Sequence, residues 1–426
     1  METKSILDEL AWRGLIHQAT DEGELRALLA KPTVVYAGFD PTAETLHVGS
    51  LLPLMLLRRF QQAGHRPIAL VGGATGMIGD PSGKTDERQL LSKEALQANV
   101  EGIRRQMSQF LSFEGPNAAV VVNNFDWMQG FSYLDFLRDV GKNFPVNVML
   151  TKDSVKARLE RSDSGLSYTE FSYMLLQAYD FVHLSREFQC QLQIGGSDQW
   201  GNITAGIDLG RRMLGRPLHA LTCPLLTTSD GKKMGKTERG AVWLSADRTS
   251  PYEFYQYFIN VDDKDVIMVL RFLTEVEQSE CQALEVLVRD QPHQRAAQKR
   301  LAEALTRMVH GDQGLHAAER ATKILFGAEI DRLSDAELVP IFRDVPSCEL
   351  PRSRLDEGLG IIDAFCSAGL AASKSEARRS IGEGAAYVNN RRVDSIERVL
   401  TAHDLASETV VVLRSGKKRY ALLRFV

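Results

Sequence analysis

The 426-residue sequence predicts an α/β fold: a parallel sheet covered by helices, then an α-helical region, then a small basic α+β module. Three observations lead there. Short apolar runs alternate with longer helical patterns from about residue 33 to 225. Beyond Pro251 the strand-like runs stop and helical spacing alone continues. From about residue 355 short apolar runs, turn residues and adjacent cations return together.

In chain order, residues 33–39, 68–72, 118–123, 191–194 and 220–226 read as strands. Residues 46–63, 93–113, 133–143, 169–187 and 202–214 read as helices between them. That rhythm is the pattern of parallel strands joined by helical crossovers. Ligands on such sheets bind where strand ends meet helix N-termini, so chemistry is expected at those turns. Residues 252–260, 263–273, 279–290 and 294–310 carry helical spacing, with Gly311 ending the last, and 333–351 reads as a linker. In the final segment Ser373 and Glu376 have the spacing of an N-cap and its capping-box partner, and Gly382 and Gly384 end that helix. Strands are expected at 385–388 and 409–413, with Asn389-Asn390 as a turn. The expected domains are 1–245, 246–330, a linker over 331–354, and 355–426.

Composition excludes several classes. The chain is 44% hydrophobic and 25% charged, and no stretch approaches the ~20 apolar residues of a bilayer span. Met1, Glu2, Thr3 and Lys4 lack the basic-then-apolar start of a signal peptide. The five cysteines are scattered and form no C-x-x-C, which argues against disulfides and zinc and for a cytoplasmic setting. The net charge of −4 hides an asymmetry: from Pro351 onward 13 Lys and Arg face 9 Asp and Glu. Lys374, Arg378, Arg379, Arg391 and Arg392 fall in that basic tail, as a nucleic-acid grip or as a solvated surface.

Two loops invite a phosphate reading. The stretch Gly72 to Thr85 ends in Gly83-Lys84-Thr85, but a P-loop needs glycine where Ile78 stands. Gly231-Lys232-Lys233-Met234-Gly235-Lys236-Thr237 misses by the same one residue. Because a P-loop works through successive backbone N–H groups, the lost residue excludes it. Both loops still combine glycine with concentrated positive charge.

His47-Val48-Gly49-Ser50 follows a strand and Asp40-Pro41-Thr42, and opens a helix. There His47 and Ser50 share one face of the first turn, where free N–H groups favour an anion. Together with Lys233-Met234-Gly235-Lys236-Thr237 this resembles the paired signatures of the class I aminoacyl-tRNA synthetases. Where that family often carries a second His or an Asn, this chain has Ser50.

Tyr173, Gln177 and Asp180 lie at i, i+4 and i+7, a polar stripe that reads as a solvent face or as a pocket wall. The segments 34–42, 171–180 and 195–203 resemble the tyrosyl-specific branch of bacterial class I synthetases, and the likeness runs nearly end to end. The resemblance implies a Rossmann-like catalytic domain, a helical anticodon-arm domain and a small RNA-binding domain of ribosomal-protein type. It implies that Tyr36 and Asp180 bond the phenolic hydroxyl of tyrosine. Asp80, Tyr173 and Gln177 would hold its ammonium group, and Gln199 would lie near its carboxylate. Thr42 and His47 would contact the ATP γ-phosphate, and Asp40, Gly49, Ser50, Gly196 and Asp198 the rest of the nucleotide. Lys84, Arg88, Lys233, Lys236 and Thr237 would close over the pyrophosphate, and Mg²⁺ would accompany ATP without a protein cage. The implied partners are tyrosine, ATP, tRNA(Tyr) and a second copy of the chain, met through residues 133–150. A tryptophan-specific relative and a non-catalytic RNA-binding protein on the same scaffold are the alternatives.

Overall fold

The computed structural model describes residues 5–82, 92–152, 155–156, 159, 166–237, 240–330, 333–343 and 345–426. Lys84 and Arg88 lie outside the described residues.

Five strands form a parallel sheet: β2 (Val34–Phe39), β3 (Arg66–Val71), β4 (Val120–Asn123), β5 (Leu192–Gly196) and β6 (His219–Cys223). The two-residue β1 (Gln18–Ala19) adds an antiparallel edge beside β6, giving the order β1-β6-β5-β2-β3-β4. A strand this short leaves no periodic signal, and the sequence reading lacks it. β6 is buried throughout and β3 along all but its first residue. Burial on both faces explains why these strands read as continuous apolar runs.

Chain order reverses between β2 and β5, which opens a crevice at their C-terminal ends. The Tyr168–Glu187 helix, capped by the Ser167 hydroxyl, packs there against the Trp200–Leu214 helix. Gly206 permits the close approach, since a Cβ there would lie 3.2 Å from the Phe181 ring.

Some bounds differ from expectation. The helix expected from residue 46 starts at Leu51, after an extended His47 and a 3₁₀ turn at Val48–Ser50. The helix expected to 113 ends at Met107, and the one over 133–143 becomes Tyr133–Asp139 followed by a 3₁₀ turn. Gly311 (φ 69°) breaks the helical run, but helical turns resume at once and the segment reaches Leu325.

By its contacts the chain divides into two units, Met1–Thr249 with Tyr257–Val309, and Ser250–Gln256 with His310–Val426. The second unit has a five-stranded sheet in the order Arg391–Arg392, Ala386–Val388, Val410–Ser415, Arg419–Phe425 and Ser347–Leu350, the last pair parallel. Phe365, Ile381 and Val388 belong to one of its core clusters, Leu338, Phe342 and Tyr420 to another. The stretch expected as a linker therefore holds structure: Ser334 and Glu337 form a full capping box on the Asp335–Ile341 helix. At the Lys374–Gly382 helix the Ser373 hydroxyl caps as expected, while Glu376 accepts from the Ala372 N–H rather than closing a box. Asn389 and Asn390 (φ 48° and 63°) make the expected hairpin turn.

Candidate active site

A cavity of about 510 Å³ opens at the crevice between β2 and β5. It gathers Tyr36, Asp40, Thr42, His47, Gly49, Ser50, Asp80, Tyr173, Gln177, Asp180, Gly196, Asp198, Gln199, Lys233 and Lys236 from six segments of the chain. Thr237 is not among the lining residues; it is exposed and its hydroxyl donates to the Gly240 carbonyl.

The floor of the cavity is buried and polar. Tyr36 is 1% exposed, packs edge-on against Phe181, and its hydroxyl has no hydrogen-bond partner among the described residues. Asp180, 2% exposed, accepts from Asn124 Nδ2 at 3.0 Å and Trp127 Nε1 at 2.9 Å. Burial pushes its carboxyl up to about 7, although those two donors pull the other way. Burial, and then the nearby Asp180 charge, hold the Tyr36 phenol well above its ordinary range. An unpaired buried hydroxyl is destabilising unless a ligand completes it. Gln193, absent from the sequence reading, is the register partner of Tyr36 on β5 and also lines the cavity. It is buried and its Oε1 has no partner among the described residues.

Above this floor lies a carboxylate ringed by amides. Asp80 accepts from the Ser82 N–H at 2.9 Å, Gln199 Nε2 at 2.7 Å and Asn202 Nδ2 at 3.4 Å. Burial and the charge of Asp40 raise it to about 6. Gln177 Nε2 donates to Gln199 Oε1 at 3.2 Å, and its own Oε1 is buried without a partner among the described residues. The polar stripe of the Tyr168–Glu187 helix is therefore a cavity wall and not a solvent face. Tyr173 and Asp180 are as buried as the apolar side of the same helix.

At the mouth, the His47 segment and the lysine hairpin are one construction. Val48 N–H donates to Val242 O, Val242 N–H to Gly235 O, and Leu244 N–H to Leu46 O. Gly235 (φ 83°) lies so close that a Cβ would come within 2.9 Å of Val48. Gly49 allows the imidazole to fold back, since a Cβ would lie 2.8 Å from His47 Cε1. Burial, with the charge of Lys236, lowers the His47 pKa. Asp198 sits in the 3₁₀ turn after β5, its carboxyl raised by burial and lowered by Lys233. Among the described residues, no three His, Cys, Asp or Glu side chains group as a metal site.

The first glycine loop is not a phosphate cradle in its described part. Gly73 N–H is taken by Asn123 Oδ1 and Ala74 N–H by Asn124 Oδ1. In the second unit, Lys374 pairs with Asp363 at 2.7 Å, Arg391 with Glu329 at 3.0 Å and Arg392 with Asp394 at 3.7 Å. Arg378 and Arg379 stand exposed on the Lys374–Gly382 helix.

A family model for tRNA synthetases class I (W and Y) matches residues 29–327, and one for the tyrosine–tRNA ligase SYY-like C-terminal domain matches 337–423. The chain is 60% identical over 424 residues to a tyrosine–tRNA ligase of Rhodopirellula baltica, covering 99% of this chain and 97% of that one. It is 53% identical to one of Roseiflexus castenholzii, covering 99% and 100%. Among solved structures, a C-terminally truncated Aspergillus nidulans mitochondrial tyrosyl-tRNA synthetase aligns with a TM-score of 0.69 and 31% identity, covering 76% of this chain and 95% of that one. A tryptophanyl-tRNA synthetase from Encephalitozoon cuniculi, 14% identical with a TM-score of 0.53 and covering 73% of this chain and 87% of that one, shares the fold.

The raised carboxyls make stability depend on pH. Asp180 at about 7 and Asp80 at about 6 both exceed the 3.8 of a free aspartate. Between those values the folded chain keeps protons that the unfolded chain has released, so their contribution to stability falls as pH rises from about 4 to 7. Urea unfolding across that range should show the decline in the wild type and a shallower one in Asp180→Asn, which cannot ionise. Equal slopes would contradict the assignment.

Proposed function

The chain belongs to the tyrosine–tRNA ligases of the class I aminoacyl-tRNA synthetases, a family that uses ATP, and from that premise we propose how its residues divide the work. The observation that carries the proposal is the unpartnered Tyr36 hydroxyl beside the buried Asp180 carboxylate. A phenolic hydroxyl donates to Asp180 and accepts from Tyr36; phenylalanine leaves the Tyr36 hydroxyl unpaired and Asp180 with only its Asn124 and Trp127 bonds. Tryptophan has no hydroxyl to offer there, which disfavours the tryptophan-specific alternative. The gathering of Thr42, His47, Lys233 and Lys236 at one cavity disfavours the non-catalytic one.

Asp80, Tyr173 and Gln177 take the substrate ammonium, and Gln199 orients the carboxylate. That carboxylate is already ionised, so its attack on the α-phosphorus of ATP needs no general base. One P–O bond forms as another breaks, and charge accumulates on the departing pyrophosphate. Positioning and electrostatic stabilisation therefore dominate. Thr42 and His47 meet the γ-phosphate. Lys233 and Lys236, with Lys84 and Arg88, neutralise the leaving group, and Mg²⁺ enters with ATP. Asp40, Gly49, Ser50, Gly196 and Asp198 hold the nucleoside and α-phosphate. A hydroxyl of the 3′-terminal adenosine of tRNA(Tyr) then attacks the tyrosyl carbonyl, and AMP leaves.

The domain bounds are proposed as catalytic over 1–245, anticodon-arm binding over 246–330, a connection over 331–354 whose described residues join the core and sheet of the second unit, and RNA-binding over 355–426. Lys374, Arg378, Arg379, Arg391 and Arg392 contact tRNA phosphates. Tyr133 (63% exposed), Leu134 (74%) and Val146 (58%) support a homodimer built on residues 133–150. Five unpaired thiols fit a cytoplasmic setting, and among the described residues no helix is long and apolar enough to cross a membrane.

Lys233→Ala should slow tyrosine-dependent ATP–pyrophosphate exchange by roughly 10²-fold or more while changing tyrosine affinity little. Unchanged exchange would remove the hairpin from the mechanism. Reversing two charges, Arg378→Glu with Arg379→Glu, should raise the KM for tRNA and flatten its salt dependence with exchange intact. Normal salt dependence would move the RNA contact elsewhere. Leu134→Asp should shift the sedimenting species from dimer to monomer; an unshifted dimer would place the interface on another face.

A further inference from the structure

We propose that His183 is a positioning residue for the floor of the cavity. It holds the Trp127 indole so that the indole N–H stays aimed at Asp180, and so contributes to the preference for tyrosine over phenylalanine. The inference rests on the assignment of Asp180 to the substrate hydroxyl.

Asp180 is oriented by two neutral donors that are themselves held in different ways. Asn124 is fully buried and fixed by hydrogen bonds, accepting from the Ala74 N–H at 2.7 Å and donating to Thr75 Oγ1 at 2.9 Å. Trp127 has no second hydrogen bond to fix it, because an indole carries one donor and that is spent on Asp180 at 2.9 Å. It stands in a four-residue helix, Phe125–Met128, and is only partly buried. It packs against apolar side chains of two core clusters, and its face meets a flat partner. The His183 imidazole lies parallel to it, with centroids 4.2 Å apart and planes 16° apart.

His183 follows Asp180 by three residues on the Tyr168–Glu187 helix, so the helix that presents the carboxylate also presents the plate that aligns its donor. His183 does not line the cavity, which is why it is a positioning residue and not a binding one. Without a flat partner the indole can rock about its side-chain torsions. The N–H then leaves the carboxylate plane, and Asp180 keeps only the Asn124 bond.

The test uses full-length protein and compares tyrosine- and phenylalanine-dependent ATP–pyrophosphate exchange in wild type, His183→Ala, His183→Leu and His183→Phe, with thermal unfolding of each. His183→Leu fills the space without a flat face and stands in should the alanine variant fail to fold. His183→Leu should raise the KM for tyrosine roughly three- to tenfold, the scale of one aromatic contact, with kcat near wild type. The tyrosine-to-phenylalanine ratio of kcat/KM should fall by a similar factor, and His183→Phe should restore both. Wild-type values in His183→Leu, or a phenylalanine variant as impaired as the leucine one, would overturn the inference. A wild-type protein that failed to prefer tyrosine would instead overturn the underlying assignment of Asp180.

Discussion

Burying the Asp180 carboxylate among neutral donors is the constraint on which the rest of the site depends. Removing such a group from water is costly unless its lone pairs are met. Asn124 and Trp127 meet part of that need, and burial still raises the carboxyl to about 7. The Tyr36 hydroxyl opposite is buried without a partner among the described residues. The floor is thus polar and only partly paired among the described residues, framed by the sheet and two packed helices. Fixed polar groups held in advance of the substrate are what gives such a site both affinity and discrimination.

The mouth of the cavity follows a different logic. Its positive charge comes from lysines on a hairpin, and that hairpin is stitched to the His47 segment through Val242 and Gly235. Gly235 is required twice, for its positive φ and for its approach to Val48. The near-miss P-loop patterns have a structural counterpart: in the first loop the N–H groups of Gly73 and Ala74 serve Asn123 and Asn124.

Much of this was legible in the sequence, and unevenly so. The alternation of apolar runs and helical patterns located the five parallel strands, most plainly β3 and β6, where burial on both faces leaves continuous apolar runs. The i, i+4, i+7 spacing put Tyr173, Gln177 and Asp180 on one stripe, yet spacing alone could not separate a solvent face from a cavity wall. Only the family motifs decided it. Gln193 was hidden inside a strand, where nothing marks one polar residue as facing a cavity until register sets it beside Tyr36. Asn124 and Trp127 act through Asp180 and leave no pattern of their own. Two misses had readable signals. Leu315, Ala318 and Ala321, all buried, continue helical spacing past Gly311, and Ser334 with Glu337 is a capping box inside the supposed linker.

The central claim is that the Tyr36 hydroxyl and Asp180 read the phenolic hydroxyl of tyrosine. Its most direct test is the ratio of kcat/KM for tyrosine over phenylalanine in ATP–pyrophosphate exchange, measured for wild type and Tyr36→Phe. That substitution removes one hydroxyl and nothing else. Loss of one hydrogen bond specific to the substrate hydroxyl should lower the ratio by about tenfold, mainly through tyrosine. A ratio equal to that of the wild type would contradict the account.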